Sequence, residues 1–324
     1  MQHFLEPLPA FPAAEAELSE NDLVLDLLTE GRFWRTSKLK GLFLLYRGDR
    51  GLVEEVFLPE KETDEYDLLV EAAPRLEGPG ALITYNGDSF DLPHPRKKYE
   101  AYRLPVPFSR RTSVDLFQKL RPLQGILGLP SRKLADLAEY LANALPPKDF
   151  YTNDARHAFA ALSLLPVLRF LEGAFAVDEL HAENETLILR LRPSDPLPIP
   201  LTLQSEGICL SANAGTATLP PPENGESICL SAKIDSATLQ LPLSNGFVRN
   251  YFPDYKNYEY LPIEGYAIHK SVAAYVAADR REPATPNTAF ALVPANKLLT
   301  DAKAAKLVAK NAISAILASP LASP

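Results

Sequence analysis

The stretch that decides the fold reads Ala81-Leu82-Ile83-Thr84-Tyr85-Asn86-Gly87-Asp88-Ser89-Phe90-Asp91-Leu92-Pro93. The apolar run 81–84 follows Gly-Pro-Gly, which predicts a short buried strand. Asn86 and Gly87 end this strand because both residues tolerate positive φ. Asp91 then begins a helix, where a carboxylate suits the N-terminal dipole. This order places a carboxylate at the carboxyl end of a strand, where open α/β sheets carry their sites. The alternative is that Asp91 only caps the helix.

This stretch resembles the second motif of the DEDD exonucleases of the ribonuclease H-like fold. The match comprises Tyr85-Asn86-Gly87 and Phe90-Asp91-Leu92-Pro93, and it is most similar to the branch known as YprB-like ribonuclease H-like proteins. The resemblance covers about residues 22–173 and implies a metal-dependent 3′–5′ exonuclease fold that acts on nucleic acid. Enzymes of this class use two divalent ions, Mg²⁺ or Mn²⁺, which take oxygen ligands from converging carboxylates.

Hydrophobic patterns on both sides of the stretch predict the neighbouring elements. Before it we expect strands at 21–28, 41–46 and 52–57 and a helix at 61–76; after it, helices at 92–102, 116–144 and 155–171 and a strand at 112–115. Three strands in a meander, followed by alternating helices and strands, are the element order of the ribonuclease H-like fold. The resemblance therefore implies an α/β domain with a mixed five-stranded sheet and flanking helices.

Composition divides the chain into four regions. We expect an extended N-terminal arm at 1–20, a ribonuclease H-like domain at 21–173, a small antiparallel β-rich region at 174–290, and a helical, low-complexity tail at 291–324. In the third region, Glu206-Gly-Ile-Cys-Leu-Ser-Ala returns as Glu226-Ser-Ile-Cys-Leu-Ser-Ala, which predicts paired hairpins.

An aromatic stretch at 251–262 lies in the same β-rich region. Its tyrosines are consistent either with stacking on single-stranded bases or with covering an apolar sheet edge.

The first family motif is Asp-x-Glu followed by Thr-x-Gly, and here it reads Asp26-Leu27-Leu28-Thr29-Glu30-Gly31. Leu28 stands where the family has Glu. The resemblance assigns Asp26 and Asp91 as metal ligands, and it gives Asp115 a role in support of the site or at the start of the next helix.

The last family motif has two registers in this chain. One puts Asn153 at the general-base position and His157 at the ligand position; the other puts His157 at the base position and Ala161 at the ligand position. His157 is the candidate catalytic residue, with a surface or capping role as the alternative. At most two of four family ligands remain, so we expect weak or lost activity. The alternative is a catalytically inactive protein that binds nucleic acid or a protein partner.

Charge is distributed unevenly in this acidic chain, whose formal net charge is −8. The segment 96–133 contains ten Arg or Lys residues and two acidic residues, Glu100 and Asp115, so its formal charge is +8. Such a patch steers polyanions to one face, although solvated helix faces are the alternative. The predicted contacts with single-stranded DNA or RNA are Asn86, Arg96, Lys97, Lys98, Arg110, Arg111 and Lys133.

Two further patterns concern location. The first residues lack the basic, apolar pattern of a signal peptide, and no apolar run approaches the ~18 residues of a membrane span. We therefore expect a cytoplasmic protein with no membrane partner.

Overall fold

The computed structural model describes residues 1–8, 17–31, 33–129, 131–141, 153–213 and 234–319. They form two compact units. The first comprises Met1–Gln124 and Leu129–Leu165, and the second comprises Gly125–Gly128 and Pro166–Pro324.

The first unit is built on a mixed sheet of six strands. These are β1 (Gln2–Pro7), β2 (Leu23–Thr29), β3 (Leu39–Gly48), β4 (Gly51–Leu58), β5 (Ala81–Thr84) and β6 (Thr112–Asp115), in the order β1-β4-β3-β2-β5-β6. The strands β2, β5 and β6 run parallel to one another, whereas β3 is antiparallel to β2. The carboxyl ends of the three parallel strands therefore meet at one edge of the sheet.

The sixth strand corrects the expectation of an extended arm and a five-stranded sheet. Residues 2–7 pair antiparallel with β4 from Gln2↔Leu58 to Pro7↔Val53. All six residues are exposed, so their sequence lacks the alternation of buried and polar residues that predicts a strand.

Seven α-helices in the described residues come before the second sheet in the chain. They are α1 (Glu65–Leu76), α2 (Pro93–Ala101), α3 (Leu116–Lys119), α4 (Leu123–Ile126), α5 (Leu134–Tyr140), α6 (Asn153–Ser163) and α7 (Leu165–Leu171). The single helix expected over 155–171 is divided at Leu164. Pro166 lacks the N–H that would continue the ladder, and its ring opposes the carbonyl of Leu162.

One face of the sheet packs against α1 and α2. The core of this layer includes Leu25 and Leu44 from the sheet, Leu68 and Ala72 from α1, and Tyr99 from α2. This packing fixes α2, and with it the loop that carries Asp91, against the edge where the parallel strands end.

The second unit contains strands β7 (Phe175–Glu183), β8 (Thr186–Pro193), β9 (Leu201–Ser205), β10 (Ile208–Ala212), β11 (Ala237–Ser244), β12 (Phe247–Tyr251), β13 (Tyr258–Leu261), β14 (Tyr266–His269), β15 (Glu282–Pro283) and β16 (Phe290–Pro294). Strands β13–β15 form a three-stranded antiparallel sheet, and the others form a seven-stranded antiparallel sheet. Helices α8 (Lys270–Ala273), α9 (Ala295–Thr300) and α10 (Ala302–Ala318) complete the unit. The β-rich region and the C-terminal helices are thus confirmed.

Two sequence predictions concern this unit. The first copy of the repeat forms β10, but the second copy, with Cys229, lies outside the described residues. In the aromatic stretch, the rings of Phe252 and Tyr258 stack at 4.1 Å and pack against a small cluster of buried alanines. This packing corresponds to the second alternative, in which the aromatic side chains cover apolar surface.

In the part of the chain that the structure describes, no helix is long and apolar enough to cross a membrane.

Candidate functional site

A cleft of about 550 Å³ opens beside the carboxyl ends of β2 and β5. It is lined by Asp26, Leu27, Tyr85, Asn86, Ser89, Phe90 and Asp91. The stretch at 81–93 supplies most of this lining, and β2 supplies the remaining carboxylate. Asp26 and Asp91, two of the three residues predicted for the metal site, therefore lie in one cleft.

The loop between β5 and α2 aims Asp91 into the cleft. Asn86 has a φ of +66°, and Gly87 accepts hydrogen bonds at its carbonyl from the N–H groups of Phe90 and Leu92. A Cβ atom on Gly87 would lie 2.0 Å from Oγ1 of Thr84, so only glycine fits this turn. Leu92 is the N-cap residue of α2, and the helix start has no side-chain cap, so the capping role considered for Asp91 does not apply.

Asp91 is a buried residue, only 6% exposed. Burial, together with the negative charges of Asp26 and Asp115, raises the pKa of Asp91 to about 8. In the metal-free protein at pH 7 this carboxyl group is therefore mainly protonated, because like charges and desolvation both disfavour the anion.

The carboxylate of Asp115 accepts hydrogen bonds from backbone N–H groups. Its Oδ1 atom accepts hydrogen bonds from the N–H groups of Asn86 at 2.8 Å and Phe117 at 3.0 Å, and its Oδ2 atom accepts one from Asp88 at 3.4 Å. Both expected roles are present: Asp115 holds the loop of the cleft and caps α3. These bonds use both of its oxygens.

Asp26 and Leu28 lie on β2 but in different surroundings. Asp26 is half-buried, and its Oδ1 atom accepts a hydrogen bond of 2.8 Å from the N–H of Leu27. Leu28 is 52% exposed and does not line the cleft, and the pairing of β2 with β3 shifts between Leu28 and Thr29. The position of the family's glutamate therefore lies outside the cleft lining.

Helix α6 approaches Asp26 through Ala158. Ala158 lines a small cavity together with Asp26 and Glu54. His157 is half-buried outside the cleft lining, Ala161 is 1% exposed, and the side chain of Asn153 lies outside the described residues. The two described positions of the last motif thus place no carboxylate in the cleft.

Glu54 is a buried carboxylate, 3% exposed, that the sequence reading missed. The available signal was the pair Glu54-Glu55 inside an apolar strand. Because side chains alternate across a strand, two adjacent glutamates point to opposite faces of the sheet.

These residues do not fit a two-ion centre. Within the described ranges, no group of three or more His, Cys, Asp or Glu side chains is placed to hold a metal ion. Asp26 and Asp91 share the cleft, whereas Asp115 does not line it. Two ions require more oxygen ligands than this cleft offers.

The predicted nucleic-acid contacts divide into exposed and internal residues. Asn86, Arg96, Lys97, Arg110 and Lys133 are exposed, and Asn86 also lines the cleft.

Lys98 is an internal residue, only 6% exposed. Its Nζ atom donates to the carbonyl of Ser37 at 2.6 Å and pairs with Glu65 at 2.9 Å. Burial alone would raise the pKa of Glu65, but hydrogen bonds from the Leu39 N–H, Lys98 and Tyr102 outweigh it and lower that pKa. We therefore remove Lys98 from the candidate contacts.

The side chain of Arg111 also stabilises the fold and is not free to bind a ligand. Its guanidinium donates to the carbonyls of Leu76 at 2.8 Å, Asn21 at 2.6 Å and Glu77 at 3.0 Å. These bonds tie the end of α1 and the segment before β2 to β6. Arg111 is likewise removed from the contacts.

A stack of three side chains adjoins the cleft, and the sequence reading missed it. The hydroxyl group of Tyr85 donates to the carbonyl of Arg132 at 2.6 Å, and the Tyr85 ring meets the edge of Phe117 at 5.6 Å. The guanidinium carbon of Arg132 lies 4.5 Å from the centroid of the Phe117 ring. No local pattern links residues that lie this far apart in sequence.

Comparison with known proteins identifies the domain. Residues 24–150 match the family model described as the RNase_H superfamily. No curated protein matches the chain.

Several solved structures are similar over part of the chain. Apo exonuclease I is 14% identical, with 61% of this chain and 57% of that chain covered and a TM-score of 0.37. E. coli exonuclease I in complex with a dA16 oligonucleotide is 12% identical, with 67% and 62% covered and a TM-score of 0.36. The family B DNA polymerase of Pyrobaculum calidifontis is 19% identical, with 46% and 25% covered and a TM-score of 0.33. The chain thus spans just over half the length of apo exonuclease I.

The expected fold is confirmed by the family match together with the mixed sheet and its flanking helices. The first unit has the ribonuclease H-like fold, and residues 24–150 are similar to the family model of the RNase_H superfamily.

Proposed function

We propose that this chain is a nucleic-acid-binding protein, built on a ribonuclease H-like domain of the YprB-like branch, in which metal-dependent hydrolysis is weak or lost. The observation that carries the proposal is the lining of the cleft, in which the carboxylates of the described residues are Asp26 and Asp91 and to which Asp115 does not belong.

The chemistry of phosphodiester hydrolysis supports this reading. A two-ion site stabilises both the attacking and the leaving oxygen of the displacement. A cleft with two carboxylates offers fewer oxygen ligands than two divalent ions require, so it supplies little of that stabilisation.

The exposed basic residues support a polyanionic ligand. Arg96, Arg110 and Lys133 remain available at the surface of the first unit, and a cationic patch on an acidic chain confines a polyanion to one face. Single-stranded DNA or RNA is the ligand that we propose, bound in the cytoplasm and without a membrane partner.

A cleavage assay tests the proposal. Labelled single-stranded DNA and RNA are incubated with pure protein in Mg²⁺ and in Mn²⁺, beside the Asp26→Asn/Asp91→Asn double variant. We expect intact oligonucleotide in every lane. Rapid cleavage by a catalytic amount of wild-type protein that disappears in the double variant would refute the proposal.

A second candidate is residual exonuclease activity, and it is favoured by the shared cleft of Asp26 and Asp91. Mg²⁺ is held in some sites by one or two carboxylates together with substrate phosphates. Under this reading His157 keeps its proposed catalytic role. Stepwise shortening of the oligonucleotide in Mn²⁺, abolished by His157→Ala as well as by the double variant, would support it.

A further inference from the structure

Arg132 presents a fixed cation beside the cleft. In the described parts of the chain, no carboxylate pairs with its guanidinium, and its contact is the face of Phe117. The contact with the ring holds the guanidinium in place without using its N–H groups in an ion pair with a described carboxylate. A planar fork held in this way suits the two oxygens of a phosphate.

Tyr85 belongs both to the lining of the cleft and to the group of contacts with Phe117 and Arg132. Tyr85 lines the cleft with one part of its surface, touches Phe117 with its ring, and hydrogen bonds to the backbone of Arg132 through its hydroxyl group. A ligand lying against Tyr85 therefore meets the cleft on one side and the cation on the other.

The cleft itself disfavours phosphate. Asp26 and the buried Asp91 line it, and without divalent ions a phosphate there would lie against the negative charge of Asp26. The other lining groups suit an uncharged ligand, because the rings of Tyr85 and Phe90 stack on bases and the polar groups of Asn86 and Ser89 hydrogen bond to base edges or sugars.

From these observations we infer that a single strand binds with one backbone phosphate on Arg132 and the adjoining nucleoside in the cleft. This inference rests on the proposed function and deepens it. It reverses the arrangement of a hydrolase, since the uncharged unit, and not the phosphate, occupies the position between the two carboxylates.

Fluorescence anisotropy with a short labelled oligothymidylate tests the role of Arg132 in the full chain. Arg132→Ala should weaken binding about tenfold and reduce the salt slope by about 0.7. Arg121→Ala is the matched control, because Arg121 is exposed in the same basic segment, and it should change affinity by less than about twofold. Thermal melts establish that both variants are folded.

Oligonucleotides with one neutral methylphosphonate linkage test the contact directly, and they require no variant to fold. At the contacted position, the neutral linkage should weaken wild-type binding about as much as Arg132→Ala does, and it should have no further effect on that variant. This coupling distinguishes a phosphate contact from a structural role.

Two outcomes separate this inference from the proposed function. If the wild type binds but Arg132→Ala and Arg121→Ala behave alike, the inference is overturned while the proposed function stands. If the wild type binds no single strand even at low salt, both are overturned.

Discussion

The Oδ1 atom of Asp115 accepts a hydrogen bond of 2.8 Å from the backbone N–H of Asn86, which joins the end of β6 to the loop after β5. Asn86 adopts a positive φ, so this bond stabilises the turn that brings Asp91 into the cleft. An acidic residue that resembles a metal-site residue in sequence is thus used to build the loop.

Replacement of Asp115 should therefore destabilise the protein. Asp115→Ala removes the acceptors of three N–H groups and should lower the free energy of unfolding by about 2–4 kcal/mol. Asp115→Asn should cost roughly half as much, because one neutral oxygen still accepts. Urea unfolding is the measurement, with the exposed Glu71→Ala as control. An Asp115→Ala variant as stable as this control would contradict the structural role.

Lys98 and Lys97 provide a matched pair on α2. Lys98 is buried against Glu65, whereas Lys97 is exposed and pairs with Glu100. Lys98→Met leaves the Glu65 carboxylate buried and should cost about 3–5 kcal/mol in unfolding free energy. Lys97→Met should change it by less than about 0.5 kcal/mol. Equal stabilities of the two variants would show that the buried pair does not stabilise the fold.

The free energy of unfolding should depend on pH through the ionisation of the Asp91 carboxyl group. Its pKa in the folded protein is about 8, above the ordinary value of 3.8 for an aspartic acid side chain. The folded state therefore holds a proton that the unfolded state has lost, and stability falls as the pH rises between these values. Asp91→Asn removes this dependence, so the variant should gain stability over wild type by about 1.4 kcal/mol for each pH unit in that window.

The measurement is unfolding in EDTA from pH 4 to 9, with the exposed Asp88→Asn as control. The difference between Asp91→Asn and wild type should vanish near pH 4 and be largest above pH 8. A difference that stays constant with pH would contradict the raised pKa.

Leu28 and Leu27 differ in their access to the cleft. Leu28→Glu should produce no measurable Mn²⁺ binding, because its side chain is exposed outside the cleft. Leu27→Glu adds a third carboxylate beside Asp26 and Asp91 and should bind Mn²⁺ in calorimetric titration. If Leu28→Glu binds the ion and Leu27→Glu does not, the placement of β2 at this edge is wrong.

Local patterns predicted much of the first unit. The pair Asn86-Gly87 marks the turn after β5, and the run 52–57 marks β4, because turn residues and apolar runs act over a few neighbours. Strand β1 was missed because its exposed residues carry no such pattern.

The internal roles of charged residues were not predictable in this way. Lys98 meets Glu65 and Ser37 through tertiary packing, and Arg132 meets Tyr85 across 47 residues. A sequence indicates a basic helix face, but which cation turns inward depends on the partners that the fold supplies.

The measurement that tests the central claim most directly is the affinity for a labelled single strand in EDTA and in Mn²⁺. It compares wild type with the Asp26→Asn/Asp91→Asn variant at several salt concentrations. The account predicts binding that weakens with salt and differs by less than about twofold between EDTA and Mn²⁺ in both proteins. Binding that is lost in EDTA and restored by Mn²⁺ only when Asp26 and Asp91 are present would contradict it.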